Sequence, residues 1–134
     1  METAIQASIG LFLAAQASAQ VRDVATMTAV ELRGLDHDKT AVLLPGGILD
    51  EHGPFLPAYA DGYQSDHLVR AVAEAVVARP GWTVLVFPVI PLGHSGPNDI
   101  GGRFVFPGSY PVRSTTLRAL FMDLADQLGE QRFR

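Results

Sequence analysis

An α/β fold with a mainly parallel sheet is predicted by three features of this 134-residue chain. Two short, largely apolar runs, at positions 41–44 and 83–87, have the length and composition of strands buried on both faces. Between them lies a stretch with helical apolar spacing, stopped by Pro80-Gly81. Strand, helix and strand over this length make a βαβ unit, whose strands run parallel. A loop rich in Gly, Pro and carboxylates follows the first run, and open α/β sheets place their sites at that end of a strand.

Composition narrows the function. The chain is 48% hydrophobic and 18% charged, enough apolar material for a core and too much for a disordered protein. Its length allows one domain. A net charge of −4, with a single lysine at position 39, argues against a nucleic-acid surface. The absence of Cys removes disulfides, thiolate metal sites and a Cys nucleophile, and leaves the compartment open. No run reaches the roughly 18 apolar residues of a membrane span.

Residues 1–19 combine an apolar core at 9–15 with small residues at Ala17-Ser18-Ala19. That pattern predicts a signal peptide cleaved before Gln20, and hence a periplasmic or secreted protein. The segment before Arg22 has Glu2 and no basic residue, so the alternative is an N-terminal helix packed on a cytoplasmic protein. The rest, 20–134, reads as the N-terminal part of one α/β domain.

Thr28 and Glu31 fit a capping box, so a short helix is predicted at 29–33, stopped by Gly34. His37 stands between Asp36 and Asp38 in a polar connection; such a triplet can bind metal, but a solvated loop is the expected reading. Downstream of the carboxylate-rich loop, Ser65 caps the central helix, with Asp66 and His67 in its first turn. Leu68, Val72, Ala75 and Val76 form its buried face and Glu74 points out. Residues 89–111 are an irregular Pro- and Gly-rich segment of the length that marks a functional loop, with a short strand at 104–106. His94 and Ser95 lie at its start, just past a strand end. Ser114 or Thr115 caps a last helix, whose apolar face is Leu117, Leu120, Phe121, Leu124 and Leu128 and which ends at Gly129. A further strand is expected after such a helix, so the sequence reads as an N-terminal portion of a longer α/β protein, its sheet incomplete.

The chemistry concentrates at 45–61, PGGILDEHGPFLPAYAD. Asp50 and His52 are two apart, so in extended backbone they share a face, with Glu51 turned away. Gly53-Pro54 turns the chain and Pro57 stiffens its return toward Asp61. Two carboxylates and an imidazole suit Zn²⁺, Mn²⁺ or Fe²⁺. Spacing leaves a second reading open, in which Asp61 only precedes and caps a helix. A nucleotide site on Gly46-Gly47 is disfavoured, because there is no G-x-G-x-x-G and the loop is acidic.

This stretch resembles the opening motif of the creatininase (creatinine amidohydrolase) family. The family's Pro-x-Gly, Glu-x-His-Gly-Pro, Leu-Pro and closing Asp correspond to Pro45-Gly46-Gly47, Asp50-Glu51-His52-Gly53-Pro54, Leu56-Pro57 and Asp61. Phe106-Pro107-Gly108-Ser109 resembles its Phe-Pro-Gly-Thr segment, and the helix from Thr115 with Phe133 after it resembles the one before its next strand. The resemblance covers about 27–134. It implies a three-layer αβα sandwich, assembly into homo-oligomers, and a two-metal site holding Zn²⁺ or Mn²⁺ that hydrolyses C–N bonds of small amides or cyclic amides. It also implies metal ligands at Asp50, His52 and Asp61, with Asp61 in the bridging place. Three positions depart from the family: Asp50 stands for Glu, Phe55 for a frequent His, and Pro97-Asn98 for a frequent Glu-His. The family's Asn-Gly-His-Gly-Gly segment and later Glu would lie after Arg134, so these residues alone are expected to be inactive. The alternative is a non-catalytic binding or assembly protein whose metal site has decayed. Substrate-facing residues would be drawn from Tyr59, Tyr63, His94 and Ser95, none of which is assigned a role, and the sequence leaves the substrate open.

Overall fold

The computed structural model describes residues 20–96 and 107–133. The expected signal peptide, the strand at 104–106 and Pro97-Asn98 lie outside them. The described residues form a three-stranded parallel sheet. Its strands are β1 (Gln20–Asp23), β2 (Thr40–Leu43) and β3 (Thr83–Val86), in the order β1-β3-β2. Thr83 lies opposite both Gln20 and Thr40, so the three strands start level. The helices are α1 (Ala29–Arg33), α2 (Ala60–Val77) and α3 (Ser114–Glu130). The unit β2-α2-β3 is the predicted βαβ crossover.

β1 has no sequence signal, because Gln20-Val21-Arg22-Asp23 carries one apolar residue and Val21 is half exposed. Among the described residues it is an edge strand, held by its ladder to β3 rather than by burial. β3 is central, and Val84 and Leu85 are fully buried. β2 begins one residue before the apolar run: Thr40 is buried, and its hydroxyl donates to the Asp36 carbonyl at 2.7 Å. A buried hydroxyl with a partner costs little.

The capping box at α1 forms as predicted. The Thr28 side chain accepts from the Glu31 N–H at 3.3 Å, and the Glu31 carboxylate accepts from the Thr28 N–H at 2.8 Å. His37 is half-buried, stacked on Phe133 with ring centroids 4.4 Å apart. His37 thus packs on Phe133, while Asp36 and Asp38 stay exposed as expected of a solvated loop.

α2 differs most from expectation. It starts five residues ahead of Ser65, which leaves Ser65 inside the helix and puts Asp61 in the first turn. There the carboxylate meets the positive end of the helix dipole. Its buried stripe is Gly62, Val69 and Ala73, while Leu68 and Val72 turn outward. The buried stripe contains the small residues because α2 packs across all three strands at close range. On α3 the predicted face holds: Leu117, Leu120, Phe121, Leu124 and Leu128 are half-buried and their neighbours exposed. Leu124, Leu128 and Phe133 line one cavity with Leu85 of β3. By strand alternation Val84 faces the opposite layer, where α2 lies. Helices therefore cover both faces of the sheet, as an αβα arrangement requires. The N-cap of α3 is Arg113 rather than Ser114, and the helix runs through Gly129 to Glu130. The left-handed turn that stops it falls on Arg132, with φ of 66°.

Candidate metal centre

The loop after β2 is built by continuing the sheet for a few residues. Phe87 N–H donates to Leu43 O at 3.0 Å, Ile90 N–H to Pro45 O at 3.0 Å, and Gly47 N–H to Ile90 O at 2.9 Å. The Pro45-Gly46-Gly47 segment is thereby fixed at the carboxyl ends of β2 and β3. A Cβ on Gly47 would stand 2.8 Å from Gly62 Cα, so loop and helix start touch backbone to backbone. This contact sets where the first turn of α2, and with it Asp61, stands relative to the loop. The loop is closed across its neck by Asp50 N–H donating to Ala58 O at 2.8 Å. Its tip carries Phe55, which is 94% exposed.

His52 and Asp61 meet. Nε2 of His52 is 3.1 Å from Oδ1 of Asp61, and Nδ1 is 2.9 Å from the carbonyl oxygen of Asp50. A carbonyl only accepts, so Nδ1 carries a hydrogen and Nε2 faces the carboxylate. A bare Nε2 lone pair and a carboxylate oxygen repel at this distance. A proton or a cation between them is required. Two ligands of one tetrahedral ion with bonds of about 2.0–2.1 Å stand roughly 3.3 Å apart, so the pair has the spacing for two positions of a metal. The hydrogen bond from Nδ1–H to a carbonyl is the usual support of a metal-ligating imidazole.

Asp50 turns elsewhere. Its Oδ1 accepts from the Ser109 hydroxyl in a short hydrogen bond and from the Glu51 N–H at 2.9 Å. The Ser95 hydroxyl also bonds this carboxylate. Among the described residues no group of three or more His, Cys, Asp or Glu side chains is gathered closely enough to hold a metal ion. His52 and Asp61 thus face each other, while the Asp50 carboxylate is engaged by serine hydroxyls. Glu51 faces solvent, as the spacing predicts, and its carboxylate accepts from the Gly53 N–H at 2.7 Å.

The remaining sequence candidates fall around this centre. Tyr59 and Tyr63 make an edge-to-face pair at the start of α2, with centroids 5.3 Å apart and Tyr63 exposed. His94 is half-buried with Nδ1 3.3 Å from the Val112 carbonyl. His67 is an exposed helix residue. Ser109 is the partner that residue-by-residue reasoning does not find: it lies 59 positions from Asp50 and was legible only as part of the Phe-Pro-Gly-Ser stretch.

The two ionisable groups are shifted in opposite directions. The Asp50 carbonyl, and then the Asp61 carboxylate, raise the His52 pKa above its ordinary 6.5. The Ser109 hydroxyl is the main influence holding Asp50 below 3.8, against a smaller effect of burial. A raised histidine stabilises the fold fully below 6.5 and loses that contribution as the pH climbs through its folded value. A depressed carboxylate contributes fully above 3.8 and loses its share as the pH falls through its folded value. The metal-free protein should accordingly show its highest melting temperature between 3.8 and 6.5, falling on both sides. In His52→Gln the alkaline fall attributable to this pair should vanish; a profile identical to that of the parent protein refutes the assignment.

The sequence profile of the family described as Creatininase: Creatinine amidohydrolase matches residues 25–134. No curated protein sequence matches the chain. Among solved structures the chain is similar to one from Bacteroides fragilis NCTC 9343, provisionally named a creatinine amidohydrolase, at 26% identity and a TM-score of 0.63. That likeness covers 84% of this chain and 42% of the other, so the chain spans less than half of that protein's length. With the profile running from just after β1 to the last residue, and the motif loop at the carboxyl end of a parallel sheet, the chain belongs to the creatininase family.

Proposed function

We propose that this chain supplies His52, Asp61 and Asp50 to the metal site of a hydrolase that cleaves C–N bonds of small amides or cyclic amides. The family is in general metal-dependent, and its name describes an amidohydrolase. The observation that carries the reading is the facing of His52 Nε2 and Asp61 Oδ1 at 3.1 Å, a spacing that a proton or a metal cation can occupy. In the complete site we assign two divalent ions, zinc or manganese, which Asp61 would help to hold. A bound divalent ion supplies a nucleophilic water at neutral pH and polarises a carbonyl. The chain's own part is to orient and admit. The Asp50 carbonyl holds the His52 ring, the first turn of α2 holds Asp61, and Asp61 remains 45% exposed so that a small molecule can reach it. Three side chains cannot complete two coordination shells, so further donors must join them.

Metal analysis of the full-length protein tests the proposal, together with a panel of creatinine, a formamide and a peptide-like amide followed by amine or ammonia release. About two ions per chain and hydrolysis of one panel member are expected. No bound metal after equilibration with zinc or manganese would sink it. The second reading, a non-catalytic protein that keeps the fold, draws on the engagement of Asp50 by Ser109 and predicts that metal-free result.

Export is proposed on the sequence of residues 1–19. Cleavage before Gln20 would leave β1 whole, since that strand begins at Gln20. N-terminal sequencing of the protein from its native cells decides this: a chain that retains Met1 overturns it. Homo-oligomer assembly is proposed with it, and a monomer mass in solution would reject that.

A further inference from the structure

We infer that the outer edge of β2 is the docking site of a further parallel strand, the one that continues the polypeptide from α3. Among the described residues β2 pairs with β3 alone. Leu43 O accepts from the Phe87 N–H, so Leu43 directs its main-chain groups at β3. These groups alternate in direction along a strand, so Val42 and Leu44 direct theirs at the free side. The two edges of the sheet are built differently. β1 carries Gln20, Arg22 and Asp23, polar and charged residues of the kind that keep an edge from pairing. β2 is Thr40-Ala41-Val42-Leu43, with no charge and no proline to discourage a neighbour. Beside that edge Leu43 and Leu44 line a groove with Leu68 and Val72 of α2, and Leu68 is 61% exposed. An apolar strand with an apolar groove along its open side marks a surface that a partner element covers.

Handedness and chain direction identify the occupant. Leu43 lines the groove under α2, whereas Leu85 of β3 lines the cavity under α3, so the two helices lie on opposite faces. The crossover through α2 steps from β2 to β3. A right-handed crossover from β3 through α3, on the other face, steps back the opposite way. The place next to β3 on that side is filled by β2, so the first free place is the outer edge of β2. The outer side of β1 would require a left-handed crossover. The chain also leaves α3 at the matching end of the sheet. Phe133, just past α3, stacks on His37, just ahead of the first residue of β2, with ring centroids 4.4 Å apart. A strand starting there runs parallel to β2, covers the groove at Leu68 and Val72, and ends beside the loop that follows β2. The solved structure similar to this chain is matched over 42% of its length, so that protein has ample chain for such a strand.

The test is residue-resolved hydrogen exchange on the full-length protein. It needs neither metal nor substrate, so its outcome is independent of the proposed activity. The Val42 and Leu44 amides should exchange as slowly as the Leu43 amide, which faces β3. Leu68→Lys should lower the melting temperature, because a covered charge is costly. Leu68→Met keeps the apolar surface and should leave the melting temperature close to that of the parent protein. In a mixture of isotope-labelled and unlabelled protein, Val42 and Leu44 should show no nuclear Overhauser contacts between copies. Exchange of both amides at the rate of exposed loop amides means a bare edge and overturns the inference. Contacts between copies at Val42 or Leu44 assign the edge to a second copy and overturn it too. So does a Leu68→Lys variant as stable as the parent protein.

Discussion

Asp61→Asn should lower zinc or manganese affinity by more than about 100-fold, beyond the range seen when a merely orienting group is lost. Asparagine keeps the shape of the side chain and removes its charge. The amide can still meet His52 Nε2, now as a donor to the ring lone pair, so the contact of 3.1 Å does not need to open. What is lost is the anionic partner that makes a cation welcome between them. The Asp61 side chain is 45% exposed and sits in the first helical turn, so the fold tolerates the change. His52 should also release its proton more easily, because the Asp61 carboxylate is the second of the groups that raise its pKa. NMR titration of the His52 ring reads that shift without any metal present. Unaltered affinity together with an unaltered ring titration would show that the pairing has no chemical consequence.

Gly47→Ala should be strongly destabilising. Its Cβ would stand 2.8 Å from Gly62 Cα and 3.3 Å from Gly62 N, both main-chain atoms of α2. A flexible side chain could yield; a helix start that packs on three strands cannot move alone. Overpacking of this kind costs about 1–3 kcal/mol, and a lower melting temperature should follow. Because the same contact places Asp61, metal affinity should fall as well. Gly129→Ala is the internal comparison. It lies inside α3 with nothing within 4 Å of its Cβ. Alanine there should raise stability by roughly 0.5–1 kcal/mol, the usual helix preference over glycine. Equal melting temperatures for the two variants would mean that loop and helix are not in the contact described.

Local signals were legible where local physics decides. The apolar runs marked β2 and β3 to within a residue; β3 is central with Val84 and Leu85 buried, whereas β2, expected to be buried on both faces, lies at an edge of the described sheet with only Thr40 buried. Thr28 and Glu31 announced α1, because a capping box is completed within four residues. The apolar face of α3 was also correct, as five residues at helical spacing leave one choice of side. β1 could not be read, because an edge strand of mostly polar residues is selected by its neighbour's free hydrogen bonds. The start and the buried stripe of α2 were misplaced for a related reason. The larger Leu68 and Val72 suggested the inner face, yet Val69 and Ala73 are the buried positions, and Gly62 is buried against Gly47 of the loop and the Tyr59 ring.

The site divides along the same line. Sequence by itself determined an α/β chain of the creatininase family, with Asp50, His52 and Asp61 as its candidate donors, because motif and strand both lie within twenty-odd consecutive residues. Only the tertiary structure decided which of them meet. His52 faces Asp61 because Gly47 lets the start of α2 rest against the loop. Asp50 faces Ser109 because the segment before α3 pairs with residue Leu49. Both contacts join residues that are remote or held apart by a turn, and their geometry follows from how the elements pack, which local spacing does not encode.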